Sequence, residues 1–299
     1  MVAKAVTSST SRNAAARGAR EMQDCEAPRG AVPGMLDIVV TTATFGTYEK
    51  TLKDPVHCNV PFVAYTDQLH HSSCWRVVST PYHEIMDPTL WEHNSIASHA
   101  SPFNIAKFYK MNLHRLPELR GYEFVLWLDG SVRLKADVPN LLPRFRDRVC
   151  WSLLYENLPF VRGLVSNEVT MSMNATKYTA AQIQRPQDVS SQYKLYLEQG
   201  FRERWWLSRN ETLRQPGKES RFSGVWVTTF ILWRMSNPWA QLFLDNWWFQ
   251  NARTSTEDQV SFAFVVWKLK LMPYTLPDGN LTRRSFAANS LFDKLPHGH

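Results

Sequence analysis

No apolar run in these 299 residues approaches the roughly 18 needed to span a bilayer. The longest candidate, GVWVTTFILWRM, is broken by Arg234, and the N-terminus lacks the apolar core of a signal peptide. A soluble chain without a transmembrane segment is expected, in the cytoplasm or in the lumen of the secretory pathway. The four cysteines, Cys25, Cys58, Cys74 and Cys150, show neither C-x-x-C pairing nor a neighbouring histidine at zinc spacing, which excludes the common structural zinc sites. Cys58 and Cys74 could pair in an oxidising compartment; free thiols of mixed burial are the plainer expectation. Sequons at Asn174, Asn210 and Asn280 do not decide the compartment, since chance supplies them at this composition. Beyond the first 20 residues there is no Lys/Arg-rich block and no RNA-binding or zinc-finger signature, so no nucleic-acid partner is expected. No internal repeat or domain linker breaks the chain.

What is present is a core-forming composition with 44% hydrophobic residues, including 12 tryptophans and 16 phenylalanines spread along the chain after about residue 35. The formal net charge of +7 suits an anionic ligand. Part of it is local: residues 1–20 carry Lys4, Arg12, Arg17 and Arg20 and no acid. That start reads as a basic flexible tail or a transit peptide. The expected organisation is a tail over 1–34 and one domain over 35–299.

Three short apolar segments, MLDIVVTTATFG, VPFVAYTD and SCWRVVSTPY, read as strands that end in polar loops. SPFNIAKFYKMNLHRL then changes to helical spacing, with Ser101 as N-cap and Pro102 in the first turn. YEFVLWLDGSVRLKAD follows as a strand, PNLLPRF as a short helix and RVCWSLLYE as a strand. Residues 174–200 read as helix interrupted at Pro186 and stopped at Gly200. GVWVTTFILWR is a long buried strand. NPWAQLFLDNWWFQNA is a helix from Asn237-Pro238 with Trp239, Leu242, Phe243 and Trp247 inward, and STEDQVSF opens another at Ser255 or Thr256. KLMPYTLP is a last strand. The order predicts an α/β fold with a mostly parallel central sheet flanked by helices.

In such sheets ligands bind beyond the carboxyl ends of the strands. That rim would gather Thr44 to Glu49, Thr66-Asp67 and Asp129 to Ser131. Asp129 is the sharpest case, because a carboxylate ending an apolar strand needs a partner to stay ionised. An Asp-Gly hairpin turn is the local alternative. Lys107, Lys110 and His114 fall at i, i+3 and i+7, a face that would suit a diphosphate or simply water. Glu257 and Asp258 would sit in the first turn of a helix, either as caps favoured by its dipole or as a base aimed into a cleft.

Taken in order, VVTTATFGTYEK, PFVAYTD, CWRVVS, NIAKFYKMNLHRLP, YEFVLWLDGSVRL, YLEQGF, NWWFQNARTSTEDQVSF and FVVWKL resemble the glycosyltransferase-like family of plant mucilage-related and turgor-defect proteins and their bacterial and viral relatives. The resemblance covers about residues 37 to 270. It implies a GT-A type, Rossmann-like fold and an enzyme that moves a sugar from a UDP- or GDP-sugar to a hydroxyl of a glycan or other acceptor. Thr42, Phe45, Gly46 and Tyr48 would lie on the nucleotide, with Thr66 and Asp67 near base or ribose. Lys107 and Lys110 would face the diphosphate. Asp129 would contact metal or sugar, with Gly130 and Ser131 beside it, and Gln259 with Asp258 would lie at the sugar and acceptor end. Asp258, then Glu257, would be the base.

The sequence departs from that pattern in two places. The D-x-D of many GT-A enzymes is here Asp129-Gly130-Ser131, leaving Asp129 as the one firm carboxylate for an implied Mn²⁺ or Mg²⁺. His297 or His299 could complete such a site. The family's S-R-R-D-Q is here Ser255-Thr256-Glu257-Asp258-Gln259. The missing second acid keeps open a non-catalytic protein that binds nucleotide sugar or glycan.

Overall fold

The computed structural model describes residues 33–46, 49, 51–80, 102–156, 164–173, 189–203, 205, 224–254, 257–276 and 291–295. The expected tail, Ser101, residues 174–188, His297 and His299 lie outside them. The strands are β1 (Leu36–Thr44), β2 (Phe62–Thr66), β3 (Trp75–Ser79), β4 (Tyr122–Leu128), β5 (Val132–Leu134), β6 (Ser152–Glu156), β7 (Trp226–Arg234), β8 (Tyr274–Thr275) and β9 (Phe292–Lys294). The helices are α1 (Pro102–Met111), α2 (Val138–Arg146), α3 (Val165–Met173), α4 (Val189–Glu198), α5 (Pro238–Arg253) and α6 (Asp258–Leu269).

Seven strands form one sheet in the order β3-β2-β1-β4-β7-β6-β8. β3, β2, β1 and β4 are mutually parallel, β7 runs antiparallel to both β4 and β6, and β6 pairs parallel with β8. The mostly parallel α/β sheet expected from the element order is what the chain forms. Its strands are near-continuous apolar runs because helices or loops cover both faces. Side chains alternate across the sheet. Val39, Val125 and Trp127 enter one core with residues of α1, α5 and α6, while Ile38, Val40, Phe124 and Leu126 enter a second with residues of α2, β5 and β9. Asp129 follows Val125 and Trp127 in that alternation. It therefore leaves β4 toward α1 and α6.

Several local expectations are corrected. Asp129 does open a turn, with the Val132 N–H donating to its carbonyl at 2.9 Å. It is no hairpin, because β5 pairs with β9 in a separate two-stranded sheet. The inward side of α5 is Ala240, Phe243, Leu244, Trp247 and Trp248, whereas Leu242 is 39% exposed. α6 starts at Asp258 with Glu257 as its N-cap. Cys58 and Cys74 are joined, not free: the loops before β2 and β3 bring their Cα atoms to 5.4 Å, within disulfide reach. Cys150 is disulfide-bonded as well. The stop at Gly200 holds: its φ is +87°, and the Gly200 and Phe201 N–H groups donate to Leu197 and Tyr196 carbonyls in a Schellman closure of α4.

Candidate functional site

β4 delivers Asp129 to a set of buried charges built from three elements. The Lys110 ammonium, on α1, donates to Asp129 Oδ1 at 2.9 Å and to Asp258 Oδ2 at 2.5 Å. Lys107, one helical turn earlier, donates to the same Asp258 Oδ2 at 2.6 Å. Thr228 Oγ1 of β7 adds a third donor to that oxygen at 2.9 Å. Trp127 Nε1 donates to Asp129 Oδ1 at 2.8 Å, so two donors converge on each of the two aspartate oxygens nearest Lys110, with Lys107 in addition on Asp258. Two ammoniums and two carboxylates make the set formally neutral.

The environment explains why the set stays together. Lys110 is 1% exposed and lies 5.8 Å and 5.9 Å from the ring centres of Trp127 and Trp247, so its charge is met by two π faces as well as two carboxylates. Asp258 opens α6, where the helix dipole favours a negative charge. Burial pushes the Asp258 carboxyl up, but Lys107 and Lys110 outweigh it and hold it far below the usual carboxylate range. Asp129 shows the same balance, burial against Lys110 and then Lys107, and is also lowered. Burial lowers Lys107 despite Asp258. For Lys110 burial is overcome by both aspartates, and it is raised.

The other predicted residues divide sharply. Phe45 is buried and stacks on Tyr109 at 5.2 Å, which in turn stacks on Tyr65 at 4.4 Å. It is packed as a core ring. Asp67 accepts the Gly46 N–H at 3.0 Å and 3.1 Å, tying the ends of β1 and β2 together where Gly46 takes a φ of +66°. Thr66 is fully buried and its hydroxyl accepts the Gln68 N–H. Thr42 lies on β1 with its hydroxyl buried and without a hydrogen-bond partner among the described residues, and so does Thr44. Tyr48 is outside the described residues.

Gly130 is required by contact: a Cβ there would sit 2.6 Å from Thr44 Cγ2 and 3.2 Å from Glu49 Cγ. Ser131 is buried, and its carbonyl accepts the Leu295 N–H, which ties the site's floor to β9. Gln259 Nε2 donates to Glu168 Oε1 at 3.3 Å, and Ser172 Oγ contacts Glu168 Oε1 at 3.4 Å and Glu257 Oε2 at 3.1 Å. His114 does not join the lysines. The chain leaves α1 before it, and its Nε2 meets Asp245 Oδ1 at 2.8 Å on α5.

Sequence reasoning missed Trp127, Thr228, Glu168 and Ser172. A polar Thr228-Thr229 pair inside an apolar strand was a signal for the second. Nothing local marks Glu168, which is buried on α3.

The fit of the implied Mn²⁺ or Mg²⁺ turns on Asp129. Its Oδ1 is already taken by an ammonium and an indole N–H. A dication about 4 Å from that ammonium would be repelled by about 8 kcal/mol at an effective dielectric constant of about 20. Among the described residues no three His, Cys, Asp or Glu side chains group so as to hold a metal. The residues present do not fit a resident divalent cation.

A mostly parallel α/β sheet with a charged set beyond the carboxyl end of a central strand defines a domain of the open-sheet α/β class. The chain belongs to the TOD1/MUCI70 glycosyltransferase-like domain family, whose model matches residues 24–288. The family resemblance drawn from its motifs is thus borne out. Among solved structures it is similar to mouse xyloside xylosyltransferase 1 in its apo form, with 10% identity, 81% of this chain and 85% of that one covered, and a TM-score of 0.43. It is similar also to core-mannan synthase A from Aspergillus fumigatus in its Mn/GDP form, at 9% identity, 80% and 72% coverage and a TM-score of 0.35. The mannosyltransferase Ktr4p from S. cerevisiae is a third, at 10% identity, 87% and 77% coverage and a TM-score of 0.32. These scores lie below one half, so the family match carries the assignment. No curated protein matches the sequence. Among the described residues no helix is long and apolar enough to cross a membrane.

Proposed function

We propose that this chain is a glycosyltransferase that moves a sugar from a nucleotide-diphosphate sugar to a hydroxyl of a glycan or other acceptor, on a GT-A type fold. The observation that carries the reading is the buried Lys107, Lys110, Asp129 and Asp258 set at the head of α6, in a chain of a glycosyltransferase-like family. In the reaction the acceptor oxygen bonds to the donor's anomeric carbon while the bond from that carbon to the phosphate oxygen breaks. The electron pair leaves on the diphosphate and the acceptor proton passes to a base. Positive charge placed where that pair arrives lowers the barrier more than charge placed anywhere else.

Within this reading Asp129, whose side chain is 34% exposed, meets the donor, and Asp258 holds the lysines. Asp258 is a poor base, because three donors share its Oδ2 and its basicity is far below that of an ordinary carboxylate. Glu257, the other acid at the head of α6, takes the acceptor's proton. Gln259 orients the acceptor side from α6.

A panel of UDP- and GDP-sugars assayed for transfer and for donor hydrolysis tests this. Asp129→Asn should lower both by about 100-fold or more with its melting temperature little changed. Undiminished turnover in a folded Asp129→Asn chain would overturn the site assignment. The second reading, a non-catalytic nucleotide-sugar or glycan-binding protein, is favoured by Ser131 standing where a second carboxylate would be. It predicts calorimetric binding of a nucleotide sugar with no release of nucleoside diphosphate.

A further inference from the structure

We infer that this site binds the donor's diphosphate without a metal ion, Lys107 making the direct contact and Lys110 standing behind it as a fixed positioning charge. The inference rests on the transfer reading above and adds the means by which the leaving group is neutralised.

The two lysines are held differently. Lys110 touches both aspartates and lies between two indole rings at 1% exposure. A cation on Asp129 would have to share that carboxylate with the ammonium that already holds Oδ1, and the buried Ser131 offers no second carboxylate. Lys110 therefore already supplies positive charge at the carboxylate a metal would use. Lys107 is 17% exposed, and among the described residues its direct ion pair is with Asp258. On that partner's Oδ2 it competes with Lys110 at 2.5 Å and with the Thr228 hydroxyl at 2.9 Å. Two like charges on one oxygen repel each other, and Asp258 keeps two donors if Lys107 turns away.

The charge balance follows. Before the donor arrives the set sums to zero, so Lys107 has no excess charge to offer without exchanging its partner. A diphosphate with two negative charges near Lys107 supplies that exchange, and Lys110 still compensates Asp258 and Asp129. When the bond between sugar and phosphate breaks, the added negative charge develops on the oxygen facing Lys107. Lysine suits this duty as a compact charge on a flexible stem.

Calorimetric titration of the full chain with UDP and GDP, against uridine and guanosine, in EDTA and then in Mn²⁺, tests the inference. In EDTA at least one diphosphate should bind ten-fold or more tightly than its nucleoside, and Mn²⁺ should change that affinity less than three-fold. Lys107→Ala should erase the preference for the diphosphate, and Lys107→Arg should retain part of it, with both melting near the parent temperature. Diphosphate binding seen only with Mn²⁺, or an unchanged preference in a folded Lys107→Ala chain, would overturn the inference and leave the transfer reading intact. Binding of neither diphosphate in either buffer would sink the transfer reading and this inference with it.

Discussion

An ammonium or carboxylate taken singly out of water costs several kcal/mol, and what offsets that cost is the partner each brings. Asp258 illustrates the consequence, since two ammoniums depend on its Oδ2. Asp258→Ala leaves Lys110 with only the partly exposed Asp129, and unfolding free energy measured in urea should fall by about 3–5 kcal/mol. Asp129→Ala should cost less, about 1–2 kcal/mol, because a third of that side chain is in water and its field is screened. The same residues set an acid dependence. The folded pKa values of Asp258 and Asp129 lie below the unfolded carboxyl value, so the folded state binds fewer protons than the unfolded state at mildly acid pH. Their contribution is therefore complete above pH of about 4 and is lost as pH falls below it. Stability measured between pH 6 and pH 3 should decline on acidification, and the decline should be shallower in Asp258→Asn.

At the scale of elements the site is a meeting of ends: the carboxyl end of β4, the last turn of α1 and the first residue of α6. The loop after β1 closes on it through Gly130, where a Cβ would come within 2.6 Å of Thr44 Cγ2. Gly130→Ala should therefore lower both the melting temperature and turnover. Thr44→Ser removes the methyl in conflict, and adding it to Gly130→Ala should recover most of the loss. If the double variant is no better than the single one, backbone conformation at Gly130, and not contact, is the requirement. These junctions were only half legible. The apolar period of β4 and the charge that ends it could be read directly, and the rim rule located Asp129. The fate of the turn was not readable, because an Asp-Gly turn does not say whether the next strand pairs back or joins β9, some 160 residues later.

Over the whole molecule, distant segments are tied by contacts that local pattern does not report. Cys58 and Cys74 close a loop with a sequence separation of 16, and a loop of about that size is worth about 3 kcal/mol when cross-linked. The double variant Cys58→Ala/Cys74→Ala should lose about 2–4 kcal/mol in urea unfolding, and reduction of the parent chain, which also opens the disulfide of Cys150, should cost at least as much. The expectation of free thiols failed for a plain reason: spacing along the chain does not tell whether two loops meet. Phe45 shows the same limit. An aromatic residue after a strand suits a base as well as a core, and only the stack with Tyr109 and Tyr65 separates the two.

The sequence by itself determined the alternation of strand and helix, the carboxylate that ends β4, the helix start at Asn237-Pro238 and the stop at Gly200, and, through motifs in register, the family. Each of these depends on neighbours within a few residues or on a pattern kept in order along the chain. The tertiary structure alone decided that Lys110 meets Asp258 across 148 residues, that Thr228 completes the oxygen's coordination, and that His114 turns away to Asp245. Side chains so far apart in sequence become neighbours only when the sheet is assembled. The opposed charges of the lysines and aspartates then find each other because burial leaves them little water to pair with.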